Sequence, residues 1–416
     1  MILKQNLNLC VISNLINHGH TYDEWSTSFV IALSKMEEVD RITIYCPPSN
    51  GGKEISLPEK CYIVPSMDYS RPFSVLFLAS RIAKENFDQV IIISGPTAFG
   101  NGLLSNLFGT LLPLRILRGG IKKVKIINQG STLTHDVRSL GYDGIFNSVK
   151  LHAAKIVEKY IYKRVRTYFQ LKYYCEKVKK NFGQKYVPGL IPSDFIDPLT
   201  TMYLNGKDKE IQIIRKRDQN QTGVLLHGFW GPQKDPETAL EAVKKLKKKS
   251  PQVRLTVSGG INNHFPEYVK YFHGLLKSYE NVIDSYLGYV EEENLIHLFL
   301  ENEIVLMPYR ASGGQSGVLE MASFFENIVV CSDFPEFREE QKSDLVILTG
   351  LDDFEQSLFK AFEIMNKIPN IINIQNKIQT VIDNIRIILL SCSSGLSWSH
   401  HTFKTTPASS CWGNLR

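Results

Sequence analysis

Two segments in the second half of the chain combine residue types and spacings suited to holding an anion. The first is Pro308-Tyr-Arg-Ala-Ser-Gly-Gly-Gln-Ser-Gly-Val-Leu-Glu320, which follows an apolar run ending at Met307 and leads into a helical pattern beginning about Ser316. Glycines let the backbone approach a ligand closely, and the free N–H groups and dipole of a helix start attract negative charge. Glu320 lies about one turn into that helix, where a carboxylate can accept hydrogen bonds from ribose hydroxyls beside a bound diphosphate. A Gly-rich loop on its own is a weak signal, because such loops are common turns. The second segment is His227-Gly-Phe-Trp-Gly-Pro-Gln-Lys234-Asp-Pro, again joining a strand pattern to a helix pattern. A lysine just before a helix start is a mobile point charge for phosphate; taken alone, Lys234 reads rather as a solvated surface lysine.

The elements that must position these loops are legible as alternating short apolar runs and helix-length segments. In the first half, 7–13, 41–46, 61–65, 89–94 and 124–128 read as strands, with helices near 24–36, 73–86 and 102–117. The second half restarts the alternation, with strands at 223–227, 254–258, 283–287, 304–307, 328–331 and 345–348. Its helices fall near 237–249, 266–279, 292–301, 316–325 and 353–366. Such alternation predicts an α/β chain with parallel sheets covered by helices on both faces. The Pro- and Gly-rich stretch from Tyr186 to Pro198 and the polar residues after it separate the two series. The division expected is residues 1–190 as a first Rossmann-like domain, 191–221 as a linker, 222–390 as a second domain and 391–416 as a disordered tail.

In their order and spacing, the two loops together with Val257-Ser-Gly-Gly260, Leu287-Gly-Tyr-Val290 and Val329-Val-Cys-Ser-Asp-Phe-Pro-Glu336 resemble the C-terminal domain of glycosyltransferase family 4, from about Gly223 to Asp353. The resemblance implies a GT-B fold, in which two facing Rossmann-like domains enclose a cleft. It also implies transfer of a sugar from a nucleoside-diphosphate sugar to a hydroxyl, with retention of configuration. Lys234, by this likeness, contacts the donor diphosphate and Glu320 holds the ribose. Amides of Gln315, Ser316, Gly317 and Val318 approach the phosphates, between the Gly-rich loops that contain Gly228 and Gly314. Two departures stand out: the first glutamate of the family's pair falls at Ser312, and the arginine that often follows the first glycine of the lysine loop is Phe229.

The first half matches less closely, as expected of a domain that binds a variable acceptor. Asn128-Gln-Gly-Ser-Thr-Leu-Thr-His135-Asp136 resembles a His-Asp segment of family members, which would place His135 against sugar or acceptor; Gln129 is the alternative occupant of that place. His18-Gly-His20 reads as a plain turn, since an HxH pair alone is weak evidence for a metal. From His152 to Tyr186 the chain is dense in Lys, Arg and Tyr, read as a solvated helix face or as a basic helix lying on an anionic membrane beside a lipid-linked acceptor. In this fold the chain usually ends on a helix returning to the first domain, and Ser391–Arg416 lack the apolar periodicity to form it.

Other classes are excluded by what the sequence lacks. No GxGxxG follows the first strand pattern and no GxxxxGK[ST] occurs, which argues against a nicotinamide enzyme or a P-loop ATPase. No DxD marks a metal-bound donor phosphate, so no metal, no separate cofactor and no nucleic-acid partner is expected. The partners expected are a nucleotide-sugar donor and a glycan or lipid-linked acceptor. A sugar-nucleotide epimerase and a non-catalytic scaffold of the same fold are the rivals. The 416 residues are 43% hydrophobic and 22% charged, an ordinary globular composition with a formal charge of +6. Seven scattered cysteines without CxxC spacing, and no basic, apolar leader, predict a reducing, cytoplasmic setting.

Overall fold

The computed structural model describes residues 6–15, 23–49, 51, 55–95, 98–100, 103–131, 145–183, 188–191, 196–215, 220–262, 265–312, 314–341 and 343–390. Its first sheet contains β1 (Leu7–Ile12), β2 (Val39–Cys46), β3 (Cys61–Pro65), β4 (Gln89–Ser94), β5 (Val124–Asn128), β6 (Arg166–Phe169) and β7 (Gly189–Leu190), in the order β3-β2-β1-β4-β5-β6-β7. After β8 (Gln212–Ile214) comes the second sheet: β9 (Thr222–His227), β10 (Val253–Ser258), β11 (Ser285–Tyr286), β12 (Ile304–Met307), β13 (Ile328–Ser332) and β14 (Val346–Thr349). Its order is β11-β10-β9-β12-β13-β14. Every pairing within these two sheets is parallel. Central strands such as Ile304–Met307 and Ile328–Ser332 are buried along their whole length, which is why they read as continuous apolar runs and not as alternating ones.

Each sheet reverses its strand order beside its first strand, between β1 and β4 and between β9 and β12. At such a switch point neighbouring connections leave toward opposite faces and open a crevice at the carboxyl ends of the strands.

Two sequence expectations need correction. The basic run 152–186 is no single helical face: it is a helix (Ile145–Tyr162), β6, and a second helix (Lys172–Phe182). The interruption follows from Thr167, Tyr168 and Phe169, whose buried side chains and parallel pairing to β5 draw this stretch into the sheet. Nor is the stretch between the two sheets featureless. It holds a helix, Pro198–Leu204, and β8, which pairs antiparallel with β15 (Ile371–Asn373). At its end the buried Arg215 guanidinium donates to the carbonyls of Phe299, Leu300 and Asn302 at 3.2, 3.0 and 3.0 Å and to that of Phe325 at 2.6 Å.

The returning helix is Ile374–Leu390, upstream of the tail. It packs against the helix Asp23–Ser34 and buries Val381, Ile385 and Ile388. Gln89 Nε2 donates to the Leu389 carbonyl at 3.0 Å, and Arg386 pairs with Glu38 at 2.9 Å. Ser391–Arg416 lie outside the described residues. None of the described helices is long and apolar enough to cross a membrane.

Candidate functional site

A cavity of about 550 Å³ opens at the carboxyl ends of β9 and β12, on the switch point of the second sheet, and is closed from the other side by residues of the first half. The lysine loop enters it directly from β9. Gly228 has φ +150°, a conformation that favours glycine, and a Cβ there would displace Lys234 Nζ. Gly259, at φ +110°, brings its backbone so close to the Gly228 carbonyl that any Cβ would overlap the oxygen. Asp235 ends the loop as the N-cap of helix Pro236–Lys249, accepting from Thr238 N at 3.4 Å and Thr238 Oγ1 at 2.9 Å. The two Gly-rich loops are stitched together: Asp235 N donates to Pro308 O at 2.7 Å, Arg310 N to Gln233 O at 2.8 Å, and Arg310 Nε to Asp235 Oδ2 at 3.1 Å.

Within this frame Lys234 Nζ donates to Tyr309 Oη at 3.0 Å and stands 4.5 Å from the centre of that ring. Among the described residues lining the cavity, Lys234 is the one lysine or arginine. His227 lines it as well, bonded through Nδ1 to Ser258 Oγ at 2.8 Å; burial and the Lys234 charge bring its pKa down to about 3, so the ring is a neutral polar group at physiological pH.

The second loop supplies the helix start. Ser316 is the N-cap of helix Gly317–Phe324, its Oγ accepting from Leu319 N at 3.4 Å, and Gly314, Gln315, Ser316, Gly317 and Val318 all line the cavity. Ser312 Oγ turns back onto its own loop, accepting from Gly314 N at 3.3 Å. Phe229, where the family often has arginine, is half-exposed at the rim in a tilted stack with Tyr289. Glu320 is buried in the first turn, with Oε2 accepting from Asp197 N at 3.1 Å and Oε1 unbonded. Desolvation, then the charges of Asp197 and Glu340, hold its carboxyl well above the usual range.

The opposite wall comes from Asp23, Glu24 and Trp25 at the start of helix Asp23–Ser34, from Gln129 after β5, from Gln170 after β6, and from Asp197. Gln170 Nε2 donates to Gln129 Oε1 at 2.6 Å. Gln129, the alternative to His135, therefore faces the cavity, while His135, Asp136, His18 and His20 lie outside the described residues. Asp197, Glu24 and Gln170 carried no sequence signal, because their place depends on how the two halves meet. Among the described residues no group of three or more His, Cys, Asp or Glu is arranged to hold a metal ion.

No protein-family model matches this sequence, and no curated protein matches it significantly. Solved structures do match along almost the whole chain. Anabaena HepE in complex with UDP and glucose is 13% identical, with a TM-score of 0.58, over 93% of this chain and 100% of that one. Sucrose-phosphate synthase from Thermosynechococcus elongatus is 12% identical, with a TM-score of 0.61, over 92% and 97%. Trehalose-6-phosphate synthase from Burkholderia multivorans is 9% identical, with a TM-score of 0.55, over 92% and 94%.

The fold is GT-B. In GT-B terms the cavity is the cleft between the two Rossmann-like domains, with Lys234 and Ser316 on its C-terminal wall, Glu320 buried behind it in the first turn of helix Gly317–Phe324, and Glu24, Gln129 and Gln170 on its N-terminal wall.

Proposed function

We propose that this GT-B protein is a glycosyltransferase of the family 4 type, moving a sugar from a nucleoside-diphosphate sugar to a hydroxyl of a glycan or lipid-linked acceptor. The observation that carries the reading is the convergence on one switch-point cavity of the Lys234 ammonium and the Gly317 helix start, with the buried Glu320 carboxyl in the first turn behind them. By the family 4 likeness the first two meet a diphosphate and the third a ribose. HepE, whose crystal structures hold UDP, glucose and UDP-glucose, supports a uridine nucleotide as the first donor to try.

The chemistry assigned to this chain's residues is electrostatic. As the bond from the anomeric carbon to the diphosphate oxygen breaks, its electron pair goes to that oxygen. Lys234 and the amides of Gly317 and Val318 stabilise the charge there. Glu320 Oε1 accepts from a ribose hydroxyl and fixes the nucleotide. Closure of the two domains removes water that would otherwise hydrolyse the donor. The family 4 likeness assigns retention of configuration, with neither a metal nor a separate cofactor taking part.

Nucleoside diphosphate release from UDP-glucose, GDP-glucose and ADP-glucose, measured with and without added acceptors, tests the reading. Acceptor-dependent release supports it. Conversion of a nucleotide sugar to its epimer without release would support a GT-B epimerase instead, and no binding by folded protein would leave a scaffold.

A membrane-side acceptor is the second part of the proposal, with the protein lying peripherally on the cytoplasmic leaflet. Ile156 and Tyr160 are exposed on helix Ile145–Tyr162 beside Lys155 and Lys159, and Phe73 and Phe77 on helix Pro72–Ile82 and Leu104 and Leu107 on helix Leu103–Arg118 are exposed as well. Co-sedimentation with phosphatidylglycerol vesicles but not with phosphatidylcholine vesicles is the expected outcome.

A further inference from the structure

The connection between the domains contributes to the cavity a carboxyl that neither Gly-rich loop supplies. Asp197 stands just before Pro198, at the N-cap position of helix Pro198–Leu204, where an aspartate ordinarily accepts from first-turn amides. It makes no such bond, and its own backbone is helical, at φ −52° and ψ −46°. The carboxyl turns into the cavity instead and lies against the other helix start: a Cβ placed on Gly317 would be 2.9 Å from Asp197 Oδ2. The segment is held there from both domains, because Asp197 N donates to Glu320 Oε2 at 3.1 Å and Ser28 Oγ donates to Asp197 O at 3.0 Å. A diphosphate at the Gly317 and Val318 amides would therefore meet Asp197.

The surroundings decide in which form they meet. The carboxyls that act on one another here are Glu320 and Glu340 from the C-terminal domain, Asp23 and Glu24 from helix Asp23–Ser34, and Glu292 from helix Glu292–Glu301, where it accepts from Thr201 Oγ1. The facing cation is Lys234, whose ammonium is turned to Tyr309. Burial raises Asp197 to about 7, and burial followed by the Asp197 charge raises Glu292 to about 7. An ionised carboxylate repels a diphosphate, whereas a neutral carboxyl has an O–H to give it.

We propose that Asp197 enters the donor complex as a protonated carboxyl, donating its hydrogen to a diphosphate oxygen at the Gly317 helix start. The inference rests on the donor reading above and adds to it that donor and proton bind together. The sign follows from linkage. Donor prefers the protonated form, so affinity is level while free Asp197 already carries its proton, and falls by up to about tenfold per pH unit once it does not.

The test is calorimetric titration of UDP-glucose, GDP-glucose and ADP-glucose from pH 6 to pH 8.5, in buffers of different ionisation heat. Nucleotide sugars serve better than free nucleoside diphosphates, because both phosphates are esterified and do not themselves titrate near neutrality. For the donor that binds, affinity should fall about tenfold from pH 7.5 to pH 8.5, with uptake of about one proton. Asp197→Asn, which keeps an N–H to donate, should hold its affinity within about threefold over that range and take up no proton. Glu292→Gln removes the other carboxyl raised to about 7 and should keep the slope. Wild-type binding without pH dependence or proton uptake would overturn the role of Asp197 and leave the donor reading standing, as would an unchanged slope in Asp197→Asn. Failure of all three nucleotide sugars to bind at pH 6 would overturn the donor reading and this inference together.

Discussion

Glycines decide what the lysine loop can hold, and two of them separate function from stability. A methyl group at Gly228 would meet the far end of the Lys234 side chain, which can swing away, whereas one at Gly259 would meet the Gly228 carbonyl, which is fixed in the loop. Gly228→Ala is therefore expected to cost only the strain of its positive φ, about 1 kcal/mol, while donor affinity drops about tenfold because the ammonium is displaced. Gly259→Ala is expected to lose about 2 kcal/mol or more of stability in urea unfolding, since its φ is left-handed and the obstacle is backbone. That Lys234 and Ser316 stand at strand-to-helix junctions was legible in the sequence, from residue type and spacing, and the structure brings both junctions to the cavity. Asp197 was not legible. It stands at a helix N-cap in sequence, and only the packing of the connection against Ser28 and Glu320 turns it into the cavity.

Among the elements, the two helices that flank the site are tied at their far ends by one side chain. Arg215 donates to carbonyls at the C-terminal ends of helices Glu292–Glu301 and Gly317–Phe324, where a cation complements the helix dipole. Arg215→Met would take this donor from the Leu300 and Phe325 carbonyls, while Asn327 Nδ2 still serves those of Phe299 and Asn302, and an unfolding free energy lower by about 2 kcal/mol is expected. The same elements show where periodicity suffices. Gln89–Ser94, Val124–Asn128, Ile304–Met307 and Glu292–Glu301 were legible residue for residue, because each is bounded by polar or turn-forming residues and carries an apolar run or stripe that is buried. Arg166–Phe169 was hidden within a lysine-rich run, since a four-residue strand carries too few residues to show a period of two. The antiparallel pair of β8 and β15 joins segments far apart in the chain, and no local pattern announces it.

At the scale of the whole molecule, the cleft is a store of carboxyls held against their ionisation. Asp197 and Glu292 are raised to about 7, and Glu320 and Glu340 well above the usual range, with burial the largest cause for each. A raised folded-state pKa means that stability is fully present below the unfolded value and is lost as pH rises through the folded one. Carboxyls held below the usual range, such as Asp284 and Asp333, titrate at more acid pH and do not oppose this trend above pH 5, whereas His227, brought down to about 3, opposes it below its unfolded value of 6.5 and offsets part of the carboxyls' gain. The urea midpoint is therefore expected to be higher at pH 5.5 than at pH 8, and the difference to shrink in Glu292→Gln. The return of helix Ile374–Leu390 to the first domain belongs to this scale as well, its apolar positions packing against the helix Asp23–Ser34. That a two-sheet α/β architecture was legible while the closure of the cleft was not has one cause: sheets follow from local alternation, and closure from contacts between distant segments. In the reading proposed above, this cleft binds a nucleotide sugar through Lys234. Calorimetric titration of UDP-glucose, GDP-glucose and ADP-glucose into wild type and Lys234→Ala at pH 6.5 tests it most directly. One donor should bind the wild type and lose about ten- to a hundredfold in affinity on the substitution, the worth of a charge-assisted phosphate contact. Equal binding by both proteins, or none by a wild type shown to be folded, would contradict it.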